Sequence, residues 1–173
     1  MKRLFVLLPL FCLGCLELQA APRGFSRFPL NVDGRIVDFT FQDVDRDERK
    51  DALVLTAAGS RYTLAIFLQQ SPGFSSDPNQ VLTLAGDAIA VWPGAVTGSP
   101  VSDICILARS GLTAVQFQGG RFRTDKPRTI LDREFAPPGF GSRPVFFPLF
   151  YREKNSGQGH ILIPAPGAVH DRY

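Results

Sequence analysis

The chain has 173 residues, 45% hydrophobic and 20% charged, which suits one packed domain and is too apolar for a disordered tail. Its net charge of +3, from 19 basic and 16 acidic residues, excludes a dedicated nucleic-acid arm. The 16 Gly and 14 Pro follow no three-residue period, so collagen is excluded and long unbroken helices are disfavoured.

Residues 1–20 read as an export signal. Lys2 and Arg3 start it, and Leu4 to Leu16 form an apolar stretch too short to span a bilayer about 30 Å thick. Leu18-Gln19-Ala20 offers a cleavage site with Ala21 as the new first residue. In the alternative, Cys12-Leu13-Gly14-Cys15 is a degraded lipobox and Cys15 carries a lipid anchor. The expected location is secreted or periplasmic, with a membrane-anchored lipoprotein as the alternative and no transmembrane span. Once residues 1–20 are removed, Cys105 stands alone in Asp103-Ile-Cys-Ile-Leu107, which predicts a buried strand with an inert thiol and no disulfide.

After a lead-in over 21–35, a pattern recurs about every fifty residues. Asp51-Ala-Leu-Val-Leu-Thr-Ala-Ala-Gly59, Asp103-Ile-Cys-Ile-Leu-Ala-Arg-Ser-Gly111 and His160-Ile-Leu-Ile-Pro-Ala-Pro-Gly167 are its three occurrences. Each follows an apolar approach: Asp38-Phe-Thr-Phe41, Ala90-Val-Trp92 and Phe147-Pro-Leu-Phe150. Further apolar runs, Tyr62–Leu68 and Leu112–Phe117, come after the first two glycines and close on Gly73-Phe74 and Gly119-Gly-Arg-Phe122. Val81–Leu84 and Thr129–Leu131 supply candidate fourth strands. The runs are too short for helices, and four short strands per unit is the arithmetic of a propeller blade. The units are 36–84, 85–136, and 137–173, the last holding a loop and the start of a third.

The sharpest chemical signal is Asp43-Val-Asp-Arg-Asp-Glu-Arg-Lys-Asp51, with aspartates at loop positions 1, 3, 5 and 9. The spacing predicts that Asp43, Asp45, Asp47 and Asp51, with the backbone carbonyl of Arg49, surround one calcium ion, because that ion takes six to eight oxygens. Four converging carboxylates repel each other unless a cation sits among them. The competing view is a solvated turn in which Arg46, Arg49 and Lys50 neutralise the acids. Glu48 stands where such loops favour Gly for a left-handed bend, which weakens the site. The matching loops Ala95–Asp103 and Arg152–His160 have lost the acids, so one calcium at most is expected.

The Asp-x-Asp-x-Asp loop, its closing Asp51 and apolar strand, and the blade spacing behind a signal peptide resemble the FG-GAP/VCBS repeat family, which includes integrin alpha-subunit propellers. The resemblance covers roughly residues 36–173. It implies an all-β propeller fold, typically of seven blades, with calcium between the first two strands of some blades. Two blades and the start of a third fall short of a closed ring, which implies an N-terminal piece of a longer protein, or self-association through open blade edges.

The expected function is that of an exported, calcium-stabilised scaffold or recognition module for a protein or carbohydrate ligand. The alternatives are the propeller portion of a polysaccharide-active lyase or hydrolase, and a fragment without independent function. No zinc spacing involves His160 or His170, no nucleophile motif is present, and the basic stretch Arg121–Arg133 lacks stacking aromatics for nucleic acid. Asp132 and Glu134 read as solvated acids rather than a glycosidase pair.

Overall fold

The structure, a computed structural model, describes residues 26–99, 101–133, 145, 147–152, 159–165 and 168–172. The expected export signal and Cys15 lie outside them. The described residues are all-β, with antiparallel strands and no helix, and therefore none long and apolar enough to cross a membrane.

The first sheet is a four-stranded meander of β1 (Arg35–Gln42), β2 (Asp51–Ala58), β3 (Arg61–Phe67) and β4 (Gln80–Thr83), in that order. The second holds β5 (Ala88–Gly94), β6 (Asp103–Ala108), β7 (Gly111–Val115) and β10 (Arg128–Asp132) in the same up-and-down order. A small hairpin of β8 (Phe117–Gln118) and β9 (Arg121–Phe122) interrupts its chain between β7 and β10. A three-stranded sheet follows, from β11 (Leu149–Arg152), β12 (Gly159–Ala165) and β13 (Ala168–Arg172). None of the sheets closes on itself.

β2 and β6 have the apolar, β-branched character of strands covered on both faces. Six consecutive residues of β2, Asp51 to Thr56, are buried. One face of the first sheet presents Leu53, Leu55, Leu64, Ile66 and Leu82 to a core completed by Val91, Ile104, Val115 and Phe122 of the second sheet and its hairpin. The opposite face, Ala52, Val54, Ala65 and Phe67, is covered by Leu30 and Val32 of the lead-in and by Phe74. The far face of the second sheet buries Ala90, Trp92, Cys105 and Leu107. Cys105 is fully buried, and desolvation pushes its thiol up to about 12, so it is an inert core residue.

The first strand pairs of the two sheets, β1–β2 and β5–β6, share their register. Thr40 faces Leu53, and 52 residues later Trp92 faces Cys105. A bulge between Ile36 and Asp38 has its counterpart between Ala88 and Ala90. The next hairpin is four residues shorter in the second sheet, so Leu55 faces Leu64 while Leu107 faces Leu112, and the interval beyond the turn is 48 residues. The bridge Gln70–Gly73 corresponds to the Gln118–Arg121 pair. In the third sheet Tyr151 faces His160, as Gln42 faces Asp51 and Gly94 faces Asp103.

The structure departs from the sequence pattern at one glycine. Gly59 lies in the β2–β3 turn, but Gly111 opens β7 opposite Ala108, and the second turn is Arg109–Ser110. Gly111 is required there: its φ is 145°, and a Cβ would meet the Leu131 carbonyl oxygen at 2.2 Å.

Candidate metal centre

The acidic loop joins β1 to β2, two paired neighbours, so its ends are fixed by the ladder from Gln42 and Asp51 upward. Asp51 is the anchor. It is fully buried at the first position of β2. Its Oδ2 accepts the Val44 N–H at 2.8 Å, and its Oδ1 accepts the Gln69 N–H at 2.9 Å. The Gln69 side chain also accepts the Lys50 N–H at 3.1 Å, tying the loop to the segment after β3.

The other acids fold the loop with their own oxygens, as short Asp side chains do in turns. Asp43 accepts the N–H groups of Arg46 at 2.7 Å and Glu48 at 3.0 Å. Asp45 accepts the Asp47 N–H at 3.2 Å. Arg46 and Glu48 take left-handed φ of 66° and 67°, so the bend falls where the sequence lacks the favoured Gly. Such a conformation costs a residue with a Cβ about 1–2 kcal/mol. Glu48→Gly should therefore stabilise the chain by about 1 kcal/mol at most, because added freedom in the unfolded chain offsets part of the relief. Denaturant unfolding measures this, and a loss of stability would show that the Glu48 side chain contributes more than its backbone strain costs.

Of the four aspartates in the predicted site, Asp43, Asp45 and Asp51 come together: each offers a carboxylate oxygen, and these lie within 4.8 Å of one another. Asp47 is not in that group; its carboxylate accepts the Arg49 N–H and is paired with the Arg49 guanidinium. Arg49 thus enters the loop as a cation on Asp47 through its side chain.

The charges respond to this crowding. Burial raises the Asp51 carboxyl above the ordinary range, against the lowering pull of the Val44 and Gln69 N–H groups, and the charges of Asp45 and Asp47 raise it further. Asp45 is also raised, first by burial and then by Asp47 and Asp43. Asp47 is lowered, first by the Arg49 N–H and then by the Arg49 side chain. Without a cation, the raised pair contributes stability that is fully present below the ordinary aspartate value of 3.8 and lost as pH rises through the raised folded values. A hard cation bound among the three carboxylates removes that repulsion and competes with the protons. Three carboxylates in one small space are a donor set suited to an oxygen-seeking ion such as calcium.

The corresponding loop of the second sheet has the same frame and different chemistry. Asp103 is fully buried, and its Oδ2 accepts the Val96 N–H at 3.0 Å, as Asp51 accepts that of Val44. The Thr97 hydroxyl then donates to Asp103 at 2.9 Å, at the position Asp45 holds in the first loop. One hydroxyl stands where the first loop has an acid, and the Val96 and Thr97 N–H groups also donate to Asp103. Gln69 is a site residue the sequence does not announce, because its role depends on a contact 18 residues from Asp51.

No protein-family model, no curated protein and no solved structure matches this chain.

Proposed function

We propose that the chain is an exported, non-catalytic protein of stacked, propeller-type β-sheets, in which calcium bound at the β1–β2 loop stabilises a scaffold that recognises a protein or carbohydrate ligand. One observation carries the calcium assignment: Asp43, Asp45 and Asp51 are held within 4.8 Å of one another although burial and neighbouring charge oppose the ionisation of Asp45 and Asp51. The stacked architecture is supported by the shared register of β1–β2 and β5–β6 and by the core between the two sheets. The only acids that converge in this way among the described residues sit in that loop, which supports a structural role over a hydrolytic one.

Thermal melting with calcium and with chelator tests this. A ligand that binds only the folded state at a hundredfold excess over its Kd adds about 2.7 kcal/mol. For a domain of this size that is a rise of roughly 5–10 °C. The rise should shrink as pH falls through the raised values of Asp45 and Asp51, and vanish in Asp45→Ala. Identical melts in both buffers at millimolar calcium, with a cooperative transition, would remove calcium from the proposal.

A further inference from the structure

The lead-in ahead of β1 crosses the outer face of the first sheet and divides it. Leu30 and Val32 pack on Ala52 and Val54 and form a wall of the groove on either side. Toward β1 the face is apolar, with Ile36, Phe39 and Phe41 exposed. Toward β3 and β4 it is polar, and there the groove has a volume of about 580 Å³. That lies within the range of about 300–1,000 Å³ usual for small-molecule sites.

The polar groove is built from three parts. Its floor holds the facing pair Thr56 and Thr63, whose hydroxyls share one hydrogen bond at 2.8 Å. Two hydroxyls carry two protons and this bond uses one, so the pair has a donor to spare. At one end the Asn31 N–H donates to the Ser76 carbonyl at 2.7 Å, and Asn31 Nδ2 donates to Asp77 Oδ1 at 3.0 Å. Those bonds fix the two side chains and leave Asn31 Oδ1 and Asp77 Oδ2 to the groove. At the other end lie Arg61, paired with Ala58 across the β2–β3 turn, and Asp33. The neighbour of Asp33, Gly34, runs so close to the sheet that a Cβ on it would meet the Ala57 carbonyl oxygen at 2.6 Å. Arg61 and Asp33 are exposed, and neither has an ion pair or side-chain hydrogen bond among the described residues.

These groups exclude several occupants. Another sheet packed on this half of the face would bury an unpaired guanidinium and two carboxylates, at several kcal/mol per ion. The half is therefore unsuited to stacking, whatever covers the Phe39 side. An extended peptide docks on a strand edge, but the floor here is the face of β2 and β3, whose ladders are already paired. An anion meets two carboxylates against one guanidinium. A ligand rich in hydroxyls fits all of the groups, because each hydroxyl both donates and accepts. Asp33, Asp77 and Asn31 supply acceptors, the Arg61 fork supplies donors in a fixed geometry, and the Thr pair supplies a donor between them. Leu30, Val32 and Ala65 give the C–H face of a sugar ring an apolar surface.

We infer that this groove binds a short neutral oligosaccharide, running from Arg61 and Asp33 at one end to Asn31 and Asp77 at the other. The inference rests on the recognition role proposed above and gives it a ligand class and a place.

Calorimetric titration of the full chain with maltotriose, cellotriose and tri-N-acetylchitotriose tests this. At least one of them should bind with a Kd of about 1 mM or tighter. Arg61→Ala and Asp77→Asn, both at exposed positions, should each weaken that binding at least tenfold, because each removes a charged hydrogen-bond partner. Asp77→Asn keeps an acceptor for Asn31, so the wall stays in place. Lys126→Ala, exposed and outside the groove, should bind like the wild type. Failure of all three sugars at about 10 mM overturns the inference and leaves the recognition role to a protein ligand. Binding that neither Arg61→Ala nor Asp77→Asn weakens also overturns it, with saccharide recognition retained at another place. Calcium-dependent melting of the same samples reports on the metal loop separately.

Discussion

Phe122→Ala should lose about 3–5 kcal/mol of folding stability, measured by denaturant unfolding. The ring is 1% exposed and fills the core between the first two sheets. It packs edge-on against Phe117 at 5.0 Å, a geometry worth about 0.5–1.5 kcal/mol beyond its buried area. Its backbone is gripped from the first sheet, since Gln80 Oε1 accepts the Phe122 N–H at 2.7 Å and Gln80 Nε2 donates to its carbonyl at 2.8 Å. Truncation leaves a cavity that this grip prevents from collapsing. Against a total of about 5–15 kcal/mol, the loss is a large fraction of all stability. Phe39→Ala is the control: Phe39 is 62% exposed, and its removal should change stability by about 0.5 kcal/mol or less. Equal effects at the two positions would mean that the sheets do not share a core at Phe122.

Asp51→Ala should cost about 2–5 kcal/mol even in chelator, because it orphans the Val44 and Gln69 N–H groups at about 1–3 kcal/mol each. Relief of repulsion with Asp45 and Asp47 offsets a little of this, since those charges rank below burial and hydrogen bonding in setting the state of Asp51. Asp51→Asn separates the two contributions. It keeps one acceptor and removes the charge, so it should cost about 1–2 kcal/mol in chelator and also erase the calcium response. If Asp51→Ala melted like the wild type, the buried anchor would carry no weight. The loop would then be an exposed turn held by Asp43 and Asp47.

The strands were legible because short apolar runs separated by Gly and Asp clusters leave few alternatives. Asp51–Ala58 and Asp103–Ala108 lie where the pattern predicts them. β13 was not legible: Ala168-Val-His-Asp-Arg172 carries too little apolar periodicity, and only its pairing with β12 identifies it. In the acidic loop the aspartate spacing located the cluster, but it did not reveal that Asp47 is paired with Arg49. That depends on a side-chain rotamer choosing a cation two residues away over three like charges. The lead-in segment was missed for a different reason. Its part in the fold lies in two aliphatic positions, Leu30 and Val32, too little signal until their packing on Ala52 and Val54 is seen. The exposure of Phe39 and Phe41 likewise depends on what neighbours the first sheet, which no local pattern encodes.

Calcium titration by calorimetry on the folded chain, with Asp45→Ala alongside, is the most direct measurement. The expected result is one ion per chain for the wild type and none for the variant, with the affinity falling as pH is lowered through the raised range of Asp45 and Asp51. A cooperatively folded wild type that takes up no calcium at millimolar concentration, or a variant that binds it equally well, would contradict a metal-centred turn between the first two strands.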